Sequence, residues 1–182
     1  MLARPTEESP FPVDFPAESQ LKGQYPSPNL ADAFAIRLPA GTIADPEALA
    51  RFAFGRQAPW VRKLMRLRDL IMGCFGVKTS RQLRGGVAGR VSIFRIYAVQ
   101  AAEIILGEDD KHLDFRLSVM HRIDPAPSAS GEPGAYLVVA TVVKCHNFLG
   151  RLYIGVIAPF HRLIVMATLR GAARAGWPQR SG

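Results

Sequence analysis

Cysteine is scarce in this chain, and no apolar run is long enough to cross a bilayer uninterrupted. Cys74 and Cys145 are the only two cysteines in 182 residues, too few for the disulfide framework of a small secreted domain. The opening residues, MLARPTEESPF, put Glu7, Glu8 and Pro10 where a secretory signal needs an apolar segment, so a reducing cytoplasm is the expected compartment. From Leu152 to Leu169 the chain is almost wholly apolar, but Pro159, His161 and Arg162 divide it. A span needs about 20 residues, so none is expected. An interfacial helix stays open, because basic residues flank the apolar positions. Metal-ligand spacings are missing too: there is no CxxC, HxH or HExxH. The glycines of RGGVAGR match neither phosphate-binding loop and precede a strand pattern, and no GxSxG elbow occurs. Neither metal nor cofactor is expected.

What is present fits one folded domain. The chain is 48% hydrophobic and 21% charged, a composition that can bury a core. The net charge of +8 is uneven. Residues 1–30 carry a net −2 and six of the 14 prolines. Each proline fixes φ and removes a donor, so this segment is expected to be an extended or disordered tail. The single domain is then expected over 31–176, with a short tail at 177–182. Residues 151–182 hold five arginines and no acid, and arginine outnumbers lysine 18 to 5. The guanidinium fork suits carboxylate or phosphate.

The order of elements follows from periodicity and punctuation. Asp32 to Pro39 reads as a first strand. Asp45-Pro46-Glu47 starts a short helix running to about Arg56. Trp60, Leu64, Leu67, Ile71 and Cys74 form the apolar stripe of a second helix opened by Pro59, with Arg62, Lys63, Arg66 and Asp69 facing away. The period then changes to two. Val91 to Val99 and Glu103 to Leu106 read as strands, and Leu113, Phe115, Leu117 and Val119 alternate strictly with His112, Asp114, Arg116 and Ser118. Tyr136 to Lys144 reads as a buried strand. Pro159 is expected to open a last helix to about Ala175, burying Phe160, Leu163, Ile164, Ala167 and Gly171 and turning Arg162, Arg170 and Arg174 outward. The result is an α+β fold, a curved antiparallel sheet packed on a long C-terminal helix. That is the order of the helix-grip, START/SRPBCC-like domains, which commonly leave an apolar cavity between sheet and helix.

Three strings carry a family resemblance. PWVRKLMRLRDLIMGCFG, EIILGEDDKHLDFRLSV and HNFLGRLYIGVIAPFHRLIV resemble the bacterial DUF2867 family, over roughly residues 30 to 172. The resemblance implies a family with no established activity, in which some relatives are appended to a dinucleotide-binding epimerase-like domain not seen in this sequence. It transfers no catalytic residue.

Candidate groups therefore come from chemistry. His146, Asn147, Arg151, Tyr153 and His161 fall within sixteen residues at a strand end and helix start, where ring nitrogens, an amide, a guanidinium and a phenol can bind an anion. Alternatively Gly150 and Arg151 make a turn, and His161 is a helix-start residue. His112 and Asp114 point the same way, about 6 to 7 Å apart, as a general base pair, as two of three metal ligands, or as the polar face of a sheet. Glu103 lies among apolar residues. It either faces the cavity as an acid or base, or pairs with Arg95 or Arg116. The leading expectation is a site for a small, partly apolar, anionic ligand between sheet and helix, with Glu103, His112, Asp114 and Arg116 as secondary contacts. Two alternatives share the chain: an enzyme using Glu103 or His112, and a basic surface built on Arg62, Arg66, Arg170 and Arg174 for membrane or nucleic acid. Nucleic acid is the less expected partner, since Phe94, Tyr97 and Phe115 belong to strands with buried apolar faces.

Overall fold

The computed structural model describes residues 9–55, 89–127 and 133–180. The helix expected over Trp60 to Cys74, with Arg62 and Arg66, lies outside the described residues, as does most of the RGGVAGR connection.

Seven strands and two helices are described. They are β1 (Phe11–Pro12), β2 (Leu30–Leu38), α1 (Pro46–Gly55), β3 (Arg90–Val91), β4 (Phe94–Val99), β5 (Glu103–Asp109), β6 (Leu113–Pro127), β7 (Pro133–Cys145) and α2 (Phe148–Ala175). The strands form one sheet in the order β1-β2-β7-β6-β5-β4-β3, and every neighbouring pair is antiparallel. Strands β3 to β7 follow one another as a meander, and β2 closes on β7 with Phe34 opposite Val139. The architecture is α+β, as the alternation of periods predicts.

Period two sorts the side chains onto two faces. Phe34, Ile36, Ile104, Leu106, Leu117, Val119, Leu137 and Val139 share the inner face, and the two helices close over it. Helix α1 starts where Asp45 Oδ1 accepts from the Glu47 amide at 3.0 Å, the capping expected of Asp-Pro-Glu, and it buries Leu49, Ala50, Ala53 and Phe54. Phe54 meets Phe94 edge to face at 5.7 Å, and Phe94 meets Phe115 in the same way at 5.8 Å. From α2, Val165, Leu169 and Ala172 enter this core together with Trp177 just beyond the helix. The chain end is tied back by the Ile43 amide donating to the Pro178 carbonyl and the Arg180 amide to the Gly41 carbonyl.

The outer face is covered by the proline-rich segment. Strand β1 pairs with β2, Leu21 packs on Ile105 and Val142 with Phe15, Tyr25 and Tyr97 around them, and Phe11 and Val13 cover Ala35, Met120 and Val138. Residues 9–29 therefore run as a strap, paired to the sheet at β1 and turning over 17–27. Prolines forbid it a helix but not an edge strand or turns, and its apolar residues find the sheet.

The C-terminal helix differs from expectation in its start, its register and its burial. It begins at Phe148, not Pro159, and Pro159 sits inside it. The ring removes one donor and frees the Gly155 carbonyl, and both residues are exposed, so water can take that acceptor. The buried positions are Ile154, Val165, Thr168, Leu169 and Ala172. Phe160 and Leu163, expected to be inward, are exposed. The helix axis lies so that the 165/169/172 stripe meets the sheet, about a quarter turn or more from the expected one. Arg162, Arg170 and Arg174 are outward, as expected.

Candidate functional site

The ladder between β6 and β7 brings together two groups that are 34 residues apart in sequence. Leu113 is opposite Cys145, so the preceding His112 and the following His146 continue the pairing, and the His146 amide donates to the His112 carbonyl at 2.9 Å. Asn147 then caps α2. Its backbone is extended, and its Oδ1 accepts from the Gly150 amide at 3.0 Å, satisfying one of the free donors of the first turn. With Oδ1 so engaged, the amide nitrogen of Asn147 faces His112 Nδ1 at 3.0 Å and the Lys111 carbonyl at 3.4 Å.

That contact fixes the imidazole. Nδ1 is engaged by the Asn147 side chain, whose Oδ1 also lies 3.4 Å from it. The other ring nitrogen, Nε2, is shielded from solvent and has no hydrogen-bond partner among the described residues. Gly150 completes the junction: a Cβ there would collide with the His112 carbonyl, so the helix approaches the strand end this closely only with glycine. Gly150 thus belongs to the helix's first turn, not to a loop turn.

His146 Nε2 lies 3.1 Å from Asp114 Oδ2, and Asp114 Oδ1 accepts from the Asp110 amide at 3.3 Å. Arg151, in the first turn of α2, is exposed and has no ion-pair partner among the described residues. Tyr153 is half-buried against Val143, Cys145 and Ile154. Cys145 packs with Val143 and Ile154, and burial pushes its thiol up, against the opposing pull of Arg151 and Lys144.

His161 does not join this group. It lies 14 residues along α2 from Asn147, about 21 Å at the helical rise, and its Nε2 reaches Asp32 Oδ1 at 3.2 Å. Arg162 lies 3.8 Å from the other oxygen of the same carboxylate. This pair ties the middle of α2 to β2. Asp32, read only as part of a first strand, is the partner that sequence reasoning missed. It lies 129 residues away from His161, and no local signal links them.

Arg116 and Glu103 are also placed differently. Arg116 donates to Asp109 Oδ1 at 2.7 Å and lies 3.7 Å over the Tyr97 ring, whose hydroxyl donates to Asp109 Oδ2 at 2.7 Å. Burial raises the Asp109 carboxyl, but the bonds from Arg116 and Tyr97 outweigh it and hold the group below its ordinary value. Burial, with the bond to Asp109, pushes the Tyr97 phenol up to about 12. Glu103 pairs with neither Arg95 nor Arg116. It faces the outer side of the sheet, 4% exposed, where Oε1 accepts from Ser19 Oγ and Ser118 Oγ at 2.5 Å each and Oε2 from the Gln20 amide at 3.1 Å. The strap supplies two of those donors. The arginines are excluded because Asp109 holds one and Arg95 lies over the Tyr97 ring at 5.4 Å.

No curated protein and no solved structure matches this chain. Residues 25–168 match the family described as "Protein of unknown function (DUF2867)", a span that includes the junction, the Asp32–His161 tie, and Glu103 with Ser118, but not the strap residues Ser19 and Gln20. The chain belongs to the DUF2867 family.

Proposed function

We propose that this domain is of the helix-grip type and binds a small, partly apolar, anionic ligand where β6 and β7 meet the start of α2. The helix-grip reading is supported by the closure of β2 on β7 and by the long helix that follows the meander. The ligand reading is carried by one observation, the solvent-shielded Nε2 of His112 without a hydrogen-bond partner, which in the Nε2–H tautomer is a donor without an acceptor. A buried donor left unpaired costs about 1–3 kcal/mol, and a carboxylate or phosphate oxygen would satisfy it. Arg151 offers charge in the adjoining turn, His146 offers more when protonated, and the exposed Phe148 and Leu152 offer apolar contact. The space beneath the C-terminal half of α2 is filled by Val165, Leu169 and Trp177 packed on the sheet, which favours the junction over the middle of the helix.

Catalysis is the second reading, and one residue is free to serve it. Glu103 is committed to three donors under the strap, whereas His112 has a ring nitrogen to spare, so acid/base work on a bound ligand falls to His112. Titration with octanoate, followed by 15N resonances of the histidine rings, tests the binding. A saturable shift of His112 that is absent with octylamine and lost in His112→Phe supports it. An unmoved His112 ring, or equal binding by His112→Phe, overturns it.

A further inference from the structure

The outward face of α2 is apolar where a soluble helix is ordinarily polar. Phe148, Leu152, Val156 and Leu163 are 71%, 53%, 58% and 58% exposed, with Phe160 at 43%. Spaced by four, four, four and three residues, they form one stripe over four turns. The helix has 28 residues, and its most apolar 18-residue window has a mean hydropathy of 1.7 with only 17% of that window buried. Length and composition would suffice for a span. The C-terminal half argues otherwise, because Val165, Leu169 and Ala172 are built into the core and Asp32 holds His161 and Arg162. A helix fixed along one side to its own sheet can lie on a bilayer but cannot cross it without unfolding the domain.

Charge decides what the stripe meets. Beyond Glu132 the chain has no acidic residue, while Arg151, Arg162, Arg170 and Arg174 are all exposed on α2. A second copy docked stripe to stripe would face arginines with arginines and find no carboxylate on either helix. Nucleic acid would satisfy the arginines but leave the aliphatic stripe in water, since Phe94 and Phe115 are committed to edge-to-face core contacts and give no stacking platform. Anionic phospholipid meets both demands: phosphates for the guanidinium groups, and the acyl boundary for Phe148, Leu152, Val156 and Leu163.

We infer that α2 is an interfacial helix that docks the domain on an anionic membrane surface, with its apolar stripe inserted and its arginines on the headgroups. Phe148, Leu152 and Arg151 also border the proposed ligand site, but docking is read on vesicles without octanoate and the ligand on the His112 ring, so either reading can fail alone. Docking is tested with the full chain by sedimentation with vesicles of phosphatidylglycerol and phosphatidylcholine, against vesicles of phosphatidylcholine alone. Wild type sediments with the anionic vesicles and is released by salt. The double variant L152E/V156E, changed only at exposed positions, partitions about tenfold less or weaker still, and R170Q/R174Q also weakens it, while both keep the wild-type circular dichroism spectrum and unfolding midpoint. Absence of sedimentation with anionic vesicles overturns the inference. So does undiminished sedimentation of L152E/V156E, which assigns the binding to another surface. A dimer in sedimentation equilibrium that L152E/V156E abolishes, or retention of duplex DNA in place of vesicles, overturns it by naming another occupant.

Discussion

The two outward surfaces of this domain are inverted. The outer face of the sheet carries the polar half of the β6 alternation, yet it buries Ser118 at 1% exposure and Glu103 at 4%. The outward face of α2 carries Phe148, Leu152 and Val156, yet it is open. The difference lies in what is available to cover each surface. The strap of residues 9–29 brings Phe11, Phe15 and Leu21 to the sheet and, with Ser19 and the Gln20 amide, the donors that a buried carboxylate demands. Nothing among the described residues does the same for the first half of α2. Hydropathy states a preference for burial, and topology decides whether it is met.

The inversion can be broken most forcefully inside α2, which carries leucines in both halves. Leu169 is fully buried in the main cluster, so Leu169→Ala removes its transfer energy and leaves a cavity. The expected loss is about 2–5 kcal/mol, read as a lower urea midpoint with unchanged slope. A loss under about 0.5 kcal/mol would mean that this half is no better packed than the other.

On the sheet side, Glu103→Ala leaves the Ser19 and Ser118 hydroxyls and the Gln20 amide under the strap without their acceptor. The expected cost is about 1–3 kcal/mol, with faster amide exchange across residues 15–25. Glu103→Gln keeps one acceptor oxygen and recovers part of the loss. If Glu103→Leu proved as stable as wild type, hydrophobic cover alone would hold the strap, and the polar cluster would contribute only specificity.

How much of this was legible in the sequence depends on the range of the interaction. The β2, α1 and β4–β7 elements follow from period, proline and capping, all local, and they stand within a few residues of expectation. The α2 start was misplaced because Pro159 reads as a helix opener, and only the exposure of Gly155 and Pro159 makes it tolerable inside. The proximity of His112, Asp114, His146 and Asn147 was half legible: each pair was evident, but their convergence needs the Leu113–Cys145 register. The Glu103 bonds to Ser19 and Ser118 and the Asp32–His161 tie span 84, 15 and 129 residues. No periodicity encodes such pairings, since hydroxyls and carboxylates look like surface residues until a distant segment covers them.

At the start of α2 the comparison sharpens to a single cap. Asn147→Ala removes the acceptor for the Gly150 amide and the contact that orients His112, at an expected cost of about 1 kcal/mol. The first turn should fray, with faster exchange at Gly150 and unchanged exchange at Leu169. Asn147→Asp keeps the cap and supplies a carboxylate in place of the donor to Nδ1, so it should restore helix protection while changing the His112 tautomer. Equal exchange at both positions in Asn147→Ala would mean that the helix opens as one unit.

The smallest expected effect is also the sharpest test of the inversion. Leu152 is as apolar as Leu169 but stands 53% exposed, so Leu152→Ala removes little area from contact and opens no cavity. Its effect on stability should stay within about 0.5 kcal/mol, against the several expected at Leu169, for the same chemical change in the same helix. Leucine at such a site lowers solubility without strengthening the fold, because its area stays in water in the isolated domain. Solubility of Leu152→Ala should therefore rise while its urea midpoint stays put. A midpoint that fell as far as that of Leu169→Ala would place Leu152 against the protein itself and close the open face of α2.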